Sequence, residues 1–247
     1  MPQIAKSHDS RDEYARQYCR VESELLDGRE QDTVSSWRIF KIMAEFVNGF
    51  ELLRKYGLAA SIFGSARSAP DMAVYKDAER MGKLLAEQSF TVITGGGGGV
   101  MEAANKGAFE AGGQSVGLNI RLPEEQSLNR YVTDSETFHY FFTRKVSLAF
   151  ASEVYIYFPG GFGTLDELME LVTLIQTGKI QNVPVVLVGR EYWEPLLVWF
   201  RNMLLEKKHT ISEADMDIFH VVDSADEAIE LIKKIVPCLK ERDPEIV

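Results

Sequence analysis

The chain has 247 residues, 45% hydrophobic and 26% charged, enough for one large folded unit with a substantial core. Its 37 Asp and Glu outnumber 27 Lys and Arg, giving a net charge of −10, which argues against a polynucleotide partner because non-specific nucleic-acid binding needs a basic surface. Cys19 and Cys238 stand near opposite ends without metal-ligand or redox spacing, so neither a disulfide framework nor a metal site is indicated; the polar stretch 1–20 and the lack of any long apolar run predict a cytoplasmic protein with no membrane span.

Residues 1 to about 33 are rich in Asp, Glu, Arg, Gln and Ser, which predicts an ill-ordered arm or a loosely attached helix. From Ser35 or Ser36, a plausible N-cap, Trp37, Phe40, Met43, Ala44, Val47, Phe50 and Leu53 recur at three- and four-residue intervals, the pattern of an amphipathic helix ending near Gly57. Its apolar stripe is expected to cover the sheet or a neighbouring subunit. Residues 1–57 thus form an N-terminal arm and helix, ahead of a domain spanning 58–247.

That domain alternates strand and helix. Ala59–Phe63 reads as the first strand, Gly64-Ser65-Ala66-Arg67 as its exit turn, and a helix runs from about Pro70 to Gln88. Phe90–Ile93 is a second strand that runs into Thr94 and five consecutive glycines, 95–99, before a helix from Val100 to Ala111. Gln114–Ile120 is a third strand, and Arg121 to Thr137 a long polar connection of the kind that carries function. Phe141–Phe150 reads as a helix. Val154–Phe158 is a buried strand that enters Pro159-Gly160-Gly161-Phe162-Gly163-Thr164-Leu165-Asp166-Glu167 and a helix after Thr164. Strands at 183–188 and 218–222, with helices at about 192–206 and 224–239, complete the chain.

Such alternation predicts an α/β, Rossmann-like doubly wound parallel sheet with an N-terminal helical extension, whose ligands gather at the carboxyl ends of strands where the winding reverses. Gly64, with Ser65 behind it, Gly95 and Gly160 all begin turns at those ends, so three stretches converge on one crevice. Strand, glycine turn and helix together expose backbone N–H groups at a positive helix end with no Cβ to keep an anion away, an arrangement suited to phosphate. Gly95, Gly96 and Gly97, and Gly160, Gly161 and Gly163 with Phe162, Thr164 and Asp166, are therefore candidate ligand contacts. A flexible connection is the plainer alternative for the polyglycine run.

Several motifs fail. Gly113–Gly117 fits G-x-S-x-G but sits where a helix gives way to a strand, the wrong context for a nucleophile elbow. Neither glycine cluster has the dinucleotide spacing with a downstream acid, and Gly178-Lys179 does not belong to a Walker A loop, which leaves a mononucleotide or sugar phosphate. Glu167, three residues beyond Thr164, is either a functional carboxylate or the far end of a capping box; if functional, its helix-terminal position favours the ionised form. Arg144-Lys145 lies between aromatic and apolar stretches and either meets an anion or forms a solvated helix face.

With Gly95-Gly96-Gly97, Arg144-Lys145 and Pro159 to Glu167 reading P-G-G-x-G-T-x-x-E, the chain resembles the LONELY GUY (LOG) family, cytokinin riboside 5′-monophosphate phosphoribohydrolases long mislabelled as lysine decarboxylases. The likeness covers roughly 59–239. It implies hydrolysis of the N-glycosidic bond of a nucleoside 5′-monophosphate, AMP or an N6-modified form, without a cofactor, by a homo-oligomer that is most simply a dimer. By that likeness Arg144 and Glu167 are the catalytic pair, Lys145, Gly160, Gly161, Gly163 and Thr164 hold the nucleotide, Glu125 matches an acid of the long loop, and Thr173 aligns with a ligand contact. Shorter members lack the extension before Ala59, and Phe141-Phe142-Thr143 replaces the usual Met-His. No lysine is placed for the Schiff base that a decarboxylase would need. The alternative is a non-catalytic carrier or sensor of a nucleotide-like ligand, since related folds carry molybdenum cofactor.

Overall fold

The computed structural model describes residues 36–121 and 127–236; the predicted arm of residues 1–33, with Cys19, and also Glu125 and Cys238 lie outside them. The chain divides into two units, one ending at Ala44 and one beginning at Glu45. The described part of the first is the leading half of helix α1 (Ser36–Leu53), where Trp37, Phe40 and Met43 are each more than half exposed. In the second unit α1 continues, and it packs through a different face from the one its apolar stripe predicts. Val47 and Phe50 remain exposed, whereas Gly49, Leu52 and Leu53 are buried, and a Cβ at Gly49 would stand 2.7 Å from Ser147 Oγ and 2.9 Å from the Phe138 ring.

The rest of the second unit is the doubly wound α/β fold. Seven parallel strands, β1 (Ala59–Phe63), β2 (Thr91–Thr94), β3 (Ser115–Ile120), β4 (Asp134–Phe138), β5 (Val154–Tyr157), β6 (Val185–Val188) and β7 (Phe219–Val222), lie in the order β4-β3-β2-β1-β5-β6-β7. The inner strands β1, β2, β3, β5 and β6 are buried along their whole length, as sheets covered on both faces require. β4 was not expected: Asp-Ser-Glu-Thr-Phe has no apolar run, but an edge strand needs only one paired side, and its backbone pairs with β3 from Asp134 to Phe138.

The helices are α2 (Ala73–Glu87), α3 (Val100–Glu110), α4 (Phe141–Ala149), α5 (Phe162–Gln176), α6 (Arg190–Trp199), α7 (Glu213–Met216) and α8 (Ala225–Ile235). Relative to the sequence pattern, α2 starts three residues later, the helix predicted at 192–206 is α6 followed by a π-helical segment, Phe200–Lys207, and α7 is an addition. One core layer joins Ala60, Ile62, Val92 and Ile156 to Met81, Leu85, Ala104 and Ile229; the other joins Ile93, Leu118, Tyr155 and Leu187 to Leu168, Leu171 and Trp193. In the first layer α2 and α3 touch backbone to backbone: a Cβ at Gly82 would strike the carbonyl of Ala104, and one at Gly107 the carbonyl of Glu79.

That contact leaves no room to give. Gly107→Ala is expected to lower the unfolding free energy by about 1–3 kcal/mol in a denaturant titration. Gly57→Ala, which meets nothing within 4 Å, should shift it by no more than about 0.5 kcal/mol.

Candidate active site

The winding reverses between β1 and β5, with β2, β3 and β4 to one side and β6 and β7 to the other. At that point the strand ends open into a cavity of about 720 Å³, lined by Gly64 and Ser65 after β1, Gly95 after β2, Arg144 of α4, and Gly160 to Thr164 with Glu167 after β5. The three turns are tied together. Ser65 N donates to the Pro159 carbonyl at 3.1 Å, Val100 N to the Ser65 carbonyl at 3.0 Å, and Tyr192 Oη to the Gly160 carbonyl at 2.5 Å.

The turn after β5 enters its helix earlier than the sequence pattern indicates. Gly161 is the N-cap, α5 begins at Phe162, and Thr164 is a buried residue of the first turn. That turn has neither a side-chain cap nor an acidic residue, so the positive end of a 15-residue helix faces the cavity with its first N–H groups lacking intrahelical partners. Glu167 consequently falls in the second turn. It does not reach back to Thr164, which removes the capping-box alternative; its Oε1 instead accepts from Arg144 Nη1 at 3.2 Å.

Arg144 is only 8% exposed, so it is no solvated face. Its Nε donates to the Leu118 carbonyl at 2.8 Å, and its guanidinium passes so close to Gly95 that a Cβ there would collide with Nη2 and lie 2.7 Å from Met101 Sδ. The helix that carries it is capped from α1: Glu45 accepts from His139 N at 2.8 Å, Tyr140 N at 3.2 Å and Thr143 Oγ1 at 2.6 Å. Tyr157 Oη, fully buried, donates to the Glu167 carbonyl at 3.3 Å. Burial raises the Glu167 carboxyl above its ordinary value, an effect that Arg144 opposes, and its place in the second turn sets it back from the helix terminus that was expected to favour its ionised form. Burial likewise lowers Arg144, offset in part by Glu167, but an arginine starts so high that it stays cationic.

Not every expected residue reaches the cavity. Lys145 Nζ is committed to Asp166 at 2.9 Å and Glu170 at 3.3 Å, forming with Asp166 an ion pair beside the site. Thr173 is exposed on α5 and its hydroxyl donates to the Met169 carbonyl. Gly96 (φ +72°) packs against Gly117 and Leu128, and Gly97 presents its carbonyl to Asn129 Nδ2 at 3.0 Å, so of the glycines from 95 to 97 only Gly95 lines the cavity. Beneath this loop Thr94, Asn105, Ser115 and Asn129 form a polar network, with Asn105 Oδ1 accepting at 2.6 Å from Thr94 and at 2.9 Å from Asn129. The polyglycine run is therefore a packed turn and not a flexible connection. The cavity also takes in Arg67, Ser68, Val74, Met101, Ile120 and Phe141, which had no distinguishing signal beyond ordinary core or turn composition.

Among the described residues, no group of three or more His, Cys, Asp or Glu side chains is placed to hold a metal ion, and no helix is long and apolar enough to cross a membrane. A family model described as "possible lysine decarboxylase" matches residues 101–232. The chain is 31% identical over 172 residues to the cytokinin riboside 5′-monophosphate phosphoribohydrolase LOG1 of Arabidopsis thaliana, covering 68% of this chain and 78% of that protein. The chain belongs to the LOG family. A bacterial LOG relative, the cytokinin riboside 5′-monophosphate phosphoribohydrolase of Rhodococcoides fascians, is 30% identical over 136 residues, 52% of this chain and 67% of its own length. Among solved structures this LOG chain is similar to the molybdenum cofactor binding protein of Rippkaea orientalis (TM-score 0.54, 25% identity, 72% of this chain and 96% of that one) and to the molybdenum cofactor carrier protein of Chlamydomonas reinhardtii (TM-score 0.53, 25% identity, the same coverage).

The raised Glu167 carboxyl has a consequence for stability. A group whose folded pKa exceeds its unfolded value adds stability below the ordinary glutamate pKa, and that stability is lost as pH rises through the folded pKa. The unfolding free energy of the wild type minus that of Glu167→Gln should therefore fall as pH rises above the ordinary glutamate pKa of about 4.3, measured by denaturant titration at fixed salt; a difference that rises with pH would contradict the assigned direction.

Proposed function

We propose that the protein hydrolyses the N-glycosidic bond of a nucleoside 5′-monophosphate, AMP or an N6-modified AMP, to free base and ribose 5-phosphate. The observation that carries this proposal is a carboxylate, Glu167, buried against Arg144 at the wall of a cavity whose adjoining wall is the uncapped N-terminus of α5. In this proposal the first-turn N–H groups of α5 hold the 5′-phosphate, and that remote binding energy orients the sugar. As the C1′–N bond lengthens, the sugar gains oxocarbenium character, which Glu167 stabilises while accepting a proton from the attacking water; the departing base takes up a proton. Arg144 holds Glu167 in place and balances its charge. The names of the plant and bacterial relatives support the same reaction class.

A second possibility, a carrier of a nucleotide-like ligand such as molybdenum cofactor, is favoured by the likeness to the two cofactor proteins. A carrier has no need of a carboxylate beside the sugar, which is why hydrolysis is preferred. We also propose that residues 58–247 form the catalytic domain, and that the chain is a homo-oligomer, most simply a dimer, that uses the exposed Trp37, Phe40, Met43 and Val47 of α1.

Incubation with a panel of nucleoside monophosphates should release free base, with adenosine a far poorer substrate than AMP. Glu167→Gln, which can still accept from Arg144, should retain AMP binding while turnover drops about 100-fold or more. Wild-type turnover in that variant, or tight binding of AMP with no base released by the wild type, would point to the carrier. Sedimentation at micromolar concentration should show a species larger than the monomer, and Trp37→Glu with Phe40→Glu should shift it toward monomer.

A further inference from the structure

The cavity is also lined by two polar residues, Arg67 and Ser68, at the end of the turn after β1. The turn after β1 is held rigidly by its backbone: Ser65 N reaches Pro159, the Ser65 carbonyl accepts from Val100, and Arg67 N donates to Ser65 Oγ at 3.1 Å. Gly99 (φ +65°) packs so closely on Ser65 and Ala66 that no side chain would fit there. Arg67, an exposed residue, lines the cavity, and its side chain makes no ion pair or hydrogen bond with any described residue. Ser68 also lines it, is 9% exposed, and its hydroxyl is likewise without a partner among the described residues.

The Ser68 hydroxyl is not sealed from solvent, so it is free to donate to an oxygen of a ligand in the cavity. The charges agree. Of the three ionisable side chains lining the cavity, Arg144 and Glu167 are committed to each other, and Lys145, the other expected cation, is held outside by Asp166 and Glu170. Arg67 is the uncommitted charge, so a chain of net charge −10 presents a locally positive cavity. A planar guanidinium matches two oxygens of a phosphomonoester, a hydroxyl can donate to a third, and the positive end of α5 lies across the Ser65–Pro159 hydrogen bond.

We infer that Arg67 and Ser68 form the second jaw of the anion site, gripping the phosphomonoester of the ligand against the N-terminus of α5. This rests on the nucleotide interpretation of the cavity and extends it to residues that lie outside the matched family span, 101–232. The jaw sets specificity for the phosphorylated ligand; the catalytic groups remain Glu167 and Arg144.

The test uses the full chain and measures binding separately from turnover. Calorimetry with ribose 5-phosphate and with inorganic phosphate should show binding that weakens about 10- to 100-fold in Arg67→Ala, less in Arg67→Lys, and several-fold in Ser68→Ala, the range expected for hydrogen bonds to a charged group. The salt dependence of ribose 5-phosphate affinity should be shallower in Arg67→Ala than in the wild type. In kinetics, the ratio of kcat/KM for AMP to that for adenosine should fall by the same factor, chiefly through the KM for AMP. Unchanged ribose 5-phosphate affinity in both Arg67→Ala and Arg67→Lys would overturn the inference even if the wild type cleaves AMP. Conversely, Arg67-dependent binding of ribose 5-phosphate by a wild type that releases no base would sustain the jaw and remove the hydrolase proposal.

Discussion

Two opposite charges buried side by side, the Arg144 guanidinium and the Glu167 carboxylate, are the constraint that the rest of the site serves. Taking both out of water costs several kcal/mol per ion before their attraction is counted, and such a pair persists only where further hydrogen bonds complete it. The neighbours supply them. The Leu118 carbonyl takes Arg144 Nε, the missing side chain of Gly95 makes room for Nη2, and Tyr157 fixes the backbone of Glu167. Even α1 contributes, because Glu45 caps the helix on which Arg144 is borne.

The glycines divide by the same logic. Five in a row after β2 resemble a single phosphate loop, but only Gly95 faces the cavity. Gly96 and Gly99 take left-handed backbone conformations and allow close contact with β3 and with the turn after β1, while the Thr94–Asn105–Asn129 network holds the loop from below. The loop is a scaffold that lets an arginine pass and positions the cationic jaw. The glycines after β5 line the cavity directly, and α5 begins there with no acidic residue in its first turn.

Hydrolase and cofactor carrier share this fold, and fold alone does not separate them. The separating feature is local. A carrier requires shape and an anion site, which the uncapped N-terminus of α5 is proposed to supply here; a glycosidic hydrolase also requires a carboxylate of altered basicity beside the sugar. Burial raises Glu167 relative to an ordinary glutamate, making it a stronger base than its sequence position implies, while Arg144 limits how far that shift goes.

The sequence by itself determined the strand–helix alternation, the parallel sheet and the convergence of Gly64, Gly95 and Gly160, because buried strands and glycine turns are local patterns read within a few residues. It also singled out Arg144 and Glu167. It could not place β4, whose polar residues are ordered by pairing with β3 and not by their own pattern, nor the face through which α1 packs, which Gly49 decides by fitting under Phe138 and Ser147. Only the tertiary structure moved Lys145, Thr173, Gly96 and Gly97 out of the cavity and brought Arg67 and Ser68 into it. Whether a charge is free or spent depends on which carboxylates the fold sets beside it, and those lie on other turns and other helices.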